Sequence, residues 1–138
     1  VRSTSSGRYD RRVTESDVYD VIGEAGFTSL VAAFYAQVPG DDILGPMYHH
    51  GDLAGAEERL RDFLVFRFGG PARYIERRGH PRLRARHAPF RVDRAARDRW
   101  GLLMERALDE AALAPEADAV LRAFFRETAD FLINRPGP

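Results

Sequence analysis

Apolar positions recur along this chain with a helical period. Phe27, Leu30, Val31, Phe34, Tyr35 and Val38 fall at i, i+3, i+4, i+7, i+8 and i+11, which is one buried stripe on one helix, and Pro39-Gly40 ends it. Upstream, Thr14-Glu15-Ser16-Asp17 predicts a helix start, with Thr14 as N-cap and Asp17 closing an aspartate variant of the capping box. That first helix is short, carries Val18, Val21 and Ile22, and stops near Gly23 and Gly26. Asp41 to Met47 reads as a short helix or turn that leads to Tyr48 and a polar corner, His49-His50-Gly51. Asp52 then caps a helix whose buried face is Leu53, Ala56, Leu60, Phe63 and Leu64, broken by Gly69-Gly70-Pro71. Residues 72–82 are irregular and polar, a long loop, and residues 83–88 form a helical turn or two closed by Pro89.

Two longer helices follow. The first begins at the N-cap Asp93 and buries Ala96, Trp100, Leu103, Met104, Ala107, Leu108 and Ala111. The second has Pro115 in its first turn and buries Val120, Leu121, Phe124, Phe125, Thr128, Phe131 and Leu132. No segment alternates as a strand does, and no internal repeat is visible, so the fold class is all-α with about six helices.

Composition narrows the classes. The 138 residues suit one domain, read as 14–135 after a Ser/Arg-rich disordered extension at 1–13. Apolar residues at 44% and charged residues at 30% are the balance of a soluble globular chain; no continuous apolar run reaches membrane length, and the start has no secretory pattern, which is compatible with the cytoplasm. Absence of cysteine excludes disulfides, thiolate catalysis and cysteine-bound metal. A net charge of zero argues against a nucleic-acid binder held by bulk charge. All 21 basic residues are arginine, suited to bidentate pairing with carboxylates, and they are dense from Arg73 to Arg99.

Two features point to a cavity. Tyr35, Tyr48 and Trp100 put polar-tipped rings on apolar stripes, where each needs a hydrogen-bond partner or costs about 1–3 kcal/mol. Periodicity leaves open whether backbone carbonyls or a partly polar cavity supply those partners. The long loop before the last two helices runs into a turn carrying His87, and loops of that length in compact domains are usually functional.

The order of these pieces resembles the group II truncated haemoglobins. The match is carried by Gly79-His80-Pro81-Arg82-Leu83-Arg84-Ala85-Arg86-His87-Ala88-Pro89-Phe90. Supporting it are Phe34-Tyr35-Ala36-Gln37-Val38, the stretch from Asp52 to Leu60, Gly69-Gly70-Pro71, and Trp100 after Arg97-Asp98-Arg99. The resemblance covers residues 15 to 135 and implies a truncated globin, a two-over-two helical sandwich around haem b. It implies His87 as the ligand to the iron, with Phe90 and Leu83 walling that side. On the opposite side it implies Tyr35, Tyr48 and Trp100 as polar groups, Ala56 as a small side chain leaving the entry open, and Leu60 and Phe63 over the haem. Phe34 stands either near the macrocycle or in ordinary core packing. Arg59, Arg86 and Tyr74 are candidates to meet the propionates. Two departures stand out: Arg67-Phe68 where the family often has an aromatic pair, and a longer start before Thr14. His49 and His50 read as exposed corner residues.

Donors aimed at a diatomic ligand that carries partial negative charge slow its release by on the order of 10²-fold when two act together. The resemblance therefore implies a protein that binds O2, NO and CO tightly and has redox chemistry, such as nitric oxide dioxygenation or weak peroxidase activity toward peroxide. It would be served by a separate reductase, with no nucleic-acid or membrane partner, and a homodimer is compatible with the chain. The alternative is a gas-sensing or interaction module without turnover, favoured only by the arginines between Arg73 and Arg91.

Overall fold

The computed structural model describes residues 13–48, 53–72, 76 and 93–131, with the side chains at 130 and 131 outside that description. Among the described residues the α-helices are α1 Val18–Gln37, α2 Leu53–Arg67, α3 Arg94–Ala111 and α4 Pro115–Phe131, with 3-10 turns at Glu15–Asp17, Val38–Gly40 and Gly45–Tyr48. No strand occurs among the described residues. Helix α1 packs on α2 and on α3, and α3 packs on α4, so two helix pairs lie one over the other around a common core.

Local chemistry explains the boundaries. The Thr14 N–H and hydroxyl both donate to Asp17 Oδ2, at 3.0 and 2.8 Å, closing the expected helix start. The break expected near Gly23 is a sharp kink inside α1, where Gly23 adopts φ 65° and ψ −179°, a conformation that favours glycine. Asp93 caps α3 by accepting from the Ala96 N–H at 2.9 Å. Beyond α2, Gly69 has φ 101°, and a Cβ there would collide with the Ser16 carbonyl oxygen. Phe68 C=O accepts from the Tyr19 N–H at 2.9 Å, so this turn is fastened to the start of α1. Gly69→Ala is expected to lower stability by about 2 kcal/mol, through strain and clash together, read as a fall in the urea midpoint at unchanged slope.

The core contains Phe27, Leu30, Phe34, Leu64, Phe68, Leu103, Met104, Leu108, Leu121 and Phe124. The α2 stripe differs from expectation. Val65 and Phe68 are fully buried, whereas Leu53 and Leu60 are only partly so. Ala56, Phe63, Leu64, Val65 and Phe68 all belong to the one core cluster, so α2 and the turn beyond it bury a broader face than a single stripe. Thr128 and Val120 are also only partly buried, Ala117 and Ala129 taking core places on α4, while the Phe131 side chain and Leu132 lie outside the described residues. Val13, assigned to the extension, packs partly buried against the core. By length and composition Glu15–Gly40 is apolar enough to cross a membrane, with mean hydropathy 1.3, which a search for continuous apolar runs overlooks; its Phe27, Leu30, Val31 and Phe34 face is committed to the core. The N-cap Asp52, the loop (apart from Ala72 and Glu76) and the turn at 83–88 lie outside the described residues.

Arginine pairs with carboxylates as its chemistry suggests. Arg122 on α4 reaches Asp118 at 2.6 Å, Asp109 at 2.8 Å and Glu105, joining α4 to α3. Arg67 meets Glu15 at 2.7 Å and lies 5.0 Å from the Phe124 ring centroid.

Candidate functional site

Tyr35 and Phe34 sit in the last turn of α1, Tyr48 at the end of the following 3-10 turn, and Trp100 in the second turn of α3. The helical stripe that buries Phe27 and Leu30 also turns Phe34 inward, where it is fully buried; Tyr35 beside it is nearly so. The rings touch in sequence: Tyr48 and Tyr35 at 5.7 Å, Tyr35 and Phe34 at 5.0 Å, Phe34 and Trp100 at 5.5 Å, and Trp100 and Phe125 at 5.5 Å. Most of these pairs are edge-on, the arrangement aromatic quadrupoles prefer. The three polar aromatics of the sequence reading are thus gathered in one aromatic cluster.

Burial raises the Tyr35 phenol well above the usual tyrosine range, and the neighbouring Tyr48, by charge and by hydrogen bonding, adds to it. Tyr48 is also raised by burial, an effect offset in part by the hydrogen bond with Tyr35 and the positive charge of Arg59. Both phenols therefore stay protonated at neutral pH and remain O–H donors. The indole N–H of Trp100 makes no hydrogen bond to any described residue.

A raised phenol favours the fold while it keeps its proton. This contribution is fully present below pH 10.0, where an unfolded tyrosine ionises, and is lost as pH rises toward the folded values. Stability is expected to fall more steeply above pH 10 in the wild type than in Tyr35→Phe, measured as thermal midpoints across an alkaline series.

The other expected residues divide in two. Ala56 and Phe63 on α2 are buried, Leu60 is half-buried, and Arg59 is exposed, with its charge acting on both phenols. Tyr74, Leu83, Arg86, His87 and Phe90 lie outside the described residues, as do His49 and His50. Among the described residues no group of three or more acidic or histidine side chains is arranged to hold a metal ion.

Two ties that sequence reasoning missed surround the cluster. Gln37 Nε2 donates to the Leu103 carbonyl at 2.8 Å and to the Ala33 carbonyl at 3.2 Å, binding the end of α1 to α3. Arg99 reaches Asp41 at 2.7 Å and Asp42 at 2.6 Å, binding α3 to the turn that carries Tyr48. Asp41 also accepts from the N–H groups of Ile43 at 3.0 Å and Leu44 at 2.7 Å. Burial pushes its carboxyl up, but the Leu44 N–H, Arg99 and the Ile43 N–H outweigh that and hold it below the usual carboxylate range. No periodic signal marks either tie.

Comparison with known proteins agrees with this layout. The family model for bacterial-like globins matches residues 17–134. The chain is 35% identical over 117 residues to the group 2 truncated hemoglobin YjbI of Bacillus subtilis, covering 85% of this chain and 88% of that protein. Its fold superposes on the thermostable hemoglobin of Thermobifida fusca with a TM-score of 0.83 and 45% identity, covering 87% of this chain and 98% of that one. It also superposes on the truncated oxygen-avid haemoglobin of Bacillus subtilis with a TM-score of 0.80 and 35% identity, covering 85% of this chain and 98% of that one. The chain therefore belongs to the bacterial-like globins, as a two-over-two truncated haemoglobin of group II that binds haem and, with it, diatomic gases such as oxygen.

Proposed function

We propose that this protein retains oxygen tightly on haem b, held from one side by His87 and answered on the other by Tyr35, Tyr48 and Trp100, and that it uses the retained ligand in redox chemistry. The observation that carries this reading is the convergence of the buried Tyr35 phenol, the partly buried Tyr48 phenol and the Trp100 indole on one aromatic cluster. The described side chains fit such a group. Helix α2 carries the buried apolar side chains of Ala56 and Phe63, the half-buried Leu60, and the Arg59 that acts by charge on both phenols, an apolar surface beside polar groups of the kind a flat macrocycle needs.

Haem, when bound, supplies the iron that takes up a diatomic ligand. The chain does the rest. Trp100 offers its N–H, and Tyr35 its O–H, to the partial negative charge on the ligand, inside a site whose aromatic lining excludes water. Tyr48 orients the Tyr35 hydroxyl. Arg59, with Arg86 and Tyr74, meets the propionate carboxylates. A ligand held so firmly suits consumption better than delivery. Nitric oxide, oxygen and one electron combine to nitrate, the electron coming from a separate reductase. Peroxide turnover is weak, since no histidine stands among the polar groups assigned to the ligand side to move protons. The likeness to an oxygen-avid relative supports the retention half of this reading. The interaction-module alternative draws on arginines between 73 and 91, which lie outside the described residues.

The test is nitrate yield. Mixing the oxygen-loaded ferrous protein with nitric oxide should give close to one nitrate per protein. Release of free oxygen with no nitrate would leave retention standing and remove the dioxygenation step.

A further inference from the structure

Three elements carry the polar aromatics, and each pair of elements is tied. The hydrogen-bonding contact of Tyr35 with Tyr48 joins α1 to the turn at 41–48. Gln37 joins α1 to α3 one turn beyond Trp100. Arg99 joins α3 to the turn, and it precedes Trp100 by one residue. The turn also packs partly buried Ile43, Met47 and Tyr48 against the core. It borders an open concavity of about 780 Å3 lined in part by Val38, Asp41, Pro46, Tyr48 and Leu53, and Leu44 is its buried apolar anchor. Tyr48 lines that concavity and meets the Tyr35 ring at 5.7 Å, so a shift of the turn toward the concavity would part the two rings.

We propose that the Arg99–Asp41 pair is a latch that fixes Tyr48 against Tyr35 and Trp100, making Arg99 a positioning residue for ligand retention; this rests on the retention reading given above. The Asp41 side chain is 8% exposed and Arg99 30%, so the pair is shielded more than an ordinary surface ion pair. Asp41 is also the residue whose carboxylate closes the turn through the Ile43 and Leu44 N–H groups, so one side chain both shapes the turn and anchors it. Asp42, with 82% of its side chain exposed, adds a second contact to the same guanidinium but does not shape the turn. Loss of the latch frees Tyr48, loosens the orientation of the Tyr35 hydroxyl and weakens its donation to the ligand.

The experiment uses haem-loaded protein with oxygen and carbon monoxide as probes. Arg99→Gln is expected to speed oxygen release about fivefold, as weakening one modest hydrogen bond does, and to shift or broaden the infrared C–O band. Arg99→Lys should recover part of the rate. Asp41→Asn, which keeps an acceptor for the turn but removes its charge, should reproduce the Arg99→Gln result and serves if that variant folds poorly. In a Tyr48→Phe background Arg99→Gln should add nothing. Arg122→Gln, which breaks a larger ion-pair group between α3 and α4, should lower stability and leave both readouts unchanged. A wild-type C–O band with an unmoved Arg99→Gln band and rate would overturn the latch alone, as would an undiminished effect in the Tyr48→Phe background. Absence of any carbon monoxide band from the wild type would overturn the retention reading and the latch together.

Discussion

His87→Ala is expected to lose haem. The absorption spectrum of the reduced protein should lose its sharp Soret band and the shift that carbon monoxide produces, and haem affinity should fall by at least about 100-fold. The size follows from what the ligand does: disturbing only the outer partners of a metal-bound imidazole already costs about 10–100-fold, so removing the imidazole costs more. The contacts proposed to remain, apolar packing and arginine–propionate pairing, would give some retention but no directed bond to the iron. Added imidazole should restore part of the spectrum if the cavity left by the side chain is intact. A mutant with an unchanged Soret band and carbon monoxide shift would reassign the ligand and return His87 to the loop.

The second large effect is on release. Trp100→Phe combined with Tyr35→Phe should speed oxygen dissociation by about 100-fold, each donor being worth about 1.4 kcal/mol, while association changes little. Tyr35→Phe keeps the ring that packs against Phe34 and removes only the hydroxyl, while Trp100→Phe keeps an aromatic ring in the cluster, smaller than the indole and without its N–H. The single variants should each give about tenfold. A double variant no faster than Trp100→Phe alone would mean that Tyr35 acts on Tyr48 and not on the ligand. Stopped-flow mixing of the oxygen-loaded protein with carbon monoxide separates these cases.

Short-range features were the legible part of this chain. The N-cap Asp93, the closure of Thr14 on Asp17, and the break at Gly23 each depend on residues within a few positions of one another, where side-chain chemistry and backbone conformation are directly coupled. Within the candidate site the polar aromatics announced themselves by standing on apolar stripes. Long-range ties did not. Arg99 and Asp41 are far apart in sequence, and an arginine among several in a polar stretch offers no sign of which carboxylate it will meet. Gln37 likewise reads as the polar end of a helix until α3 is laid across it and the Leu103 carbonyl comes within 2.8 Å. Helix α2 differs for another reason: a single stripe of Leu53, Ala56, Leu60, Phe63 and Leu64 is narrower than the face it buries, in which Val65 and Phe68 are fully enclosed while Leu53 and Leu60 stay partly exposed.

Trp100 is the only tryptophan of the 138 residues, and it stands in the aromatic cluster, 5.5 Å from Phe34. Excited at the red edge of its absorption, the protein therefore emits from a single known place. A strongly absorbing macrocycle alongside would quench that emission by energy transfer, so brightness alone reports how many molecules in a sample are filled. The chain carries its own occupancy meter.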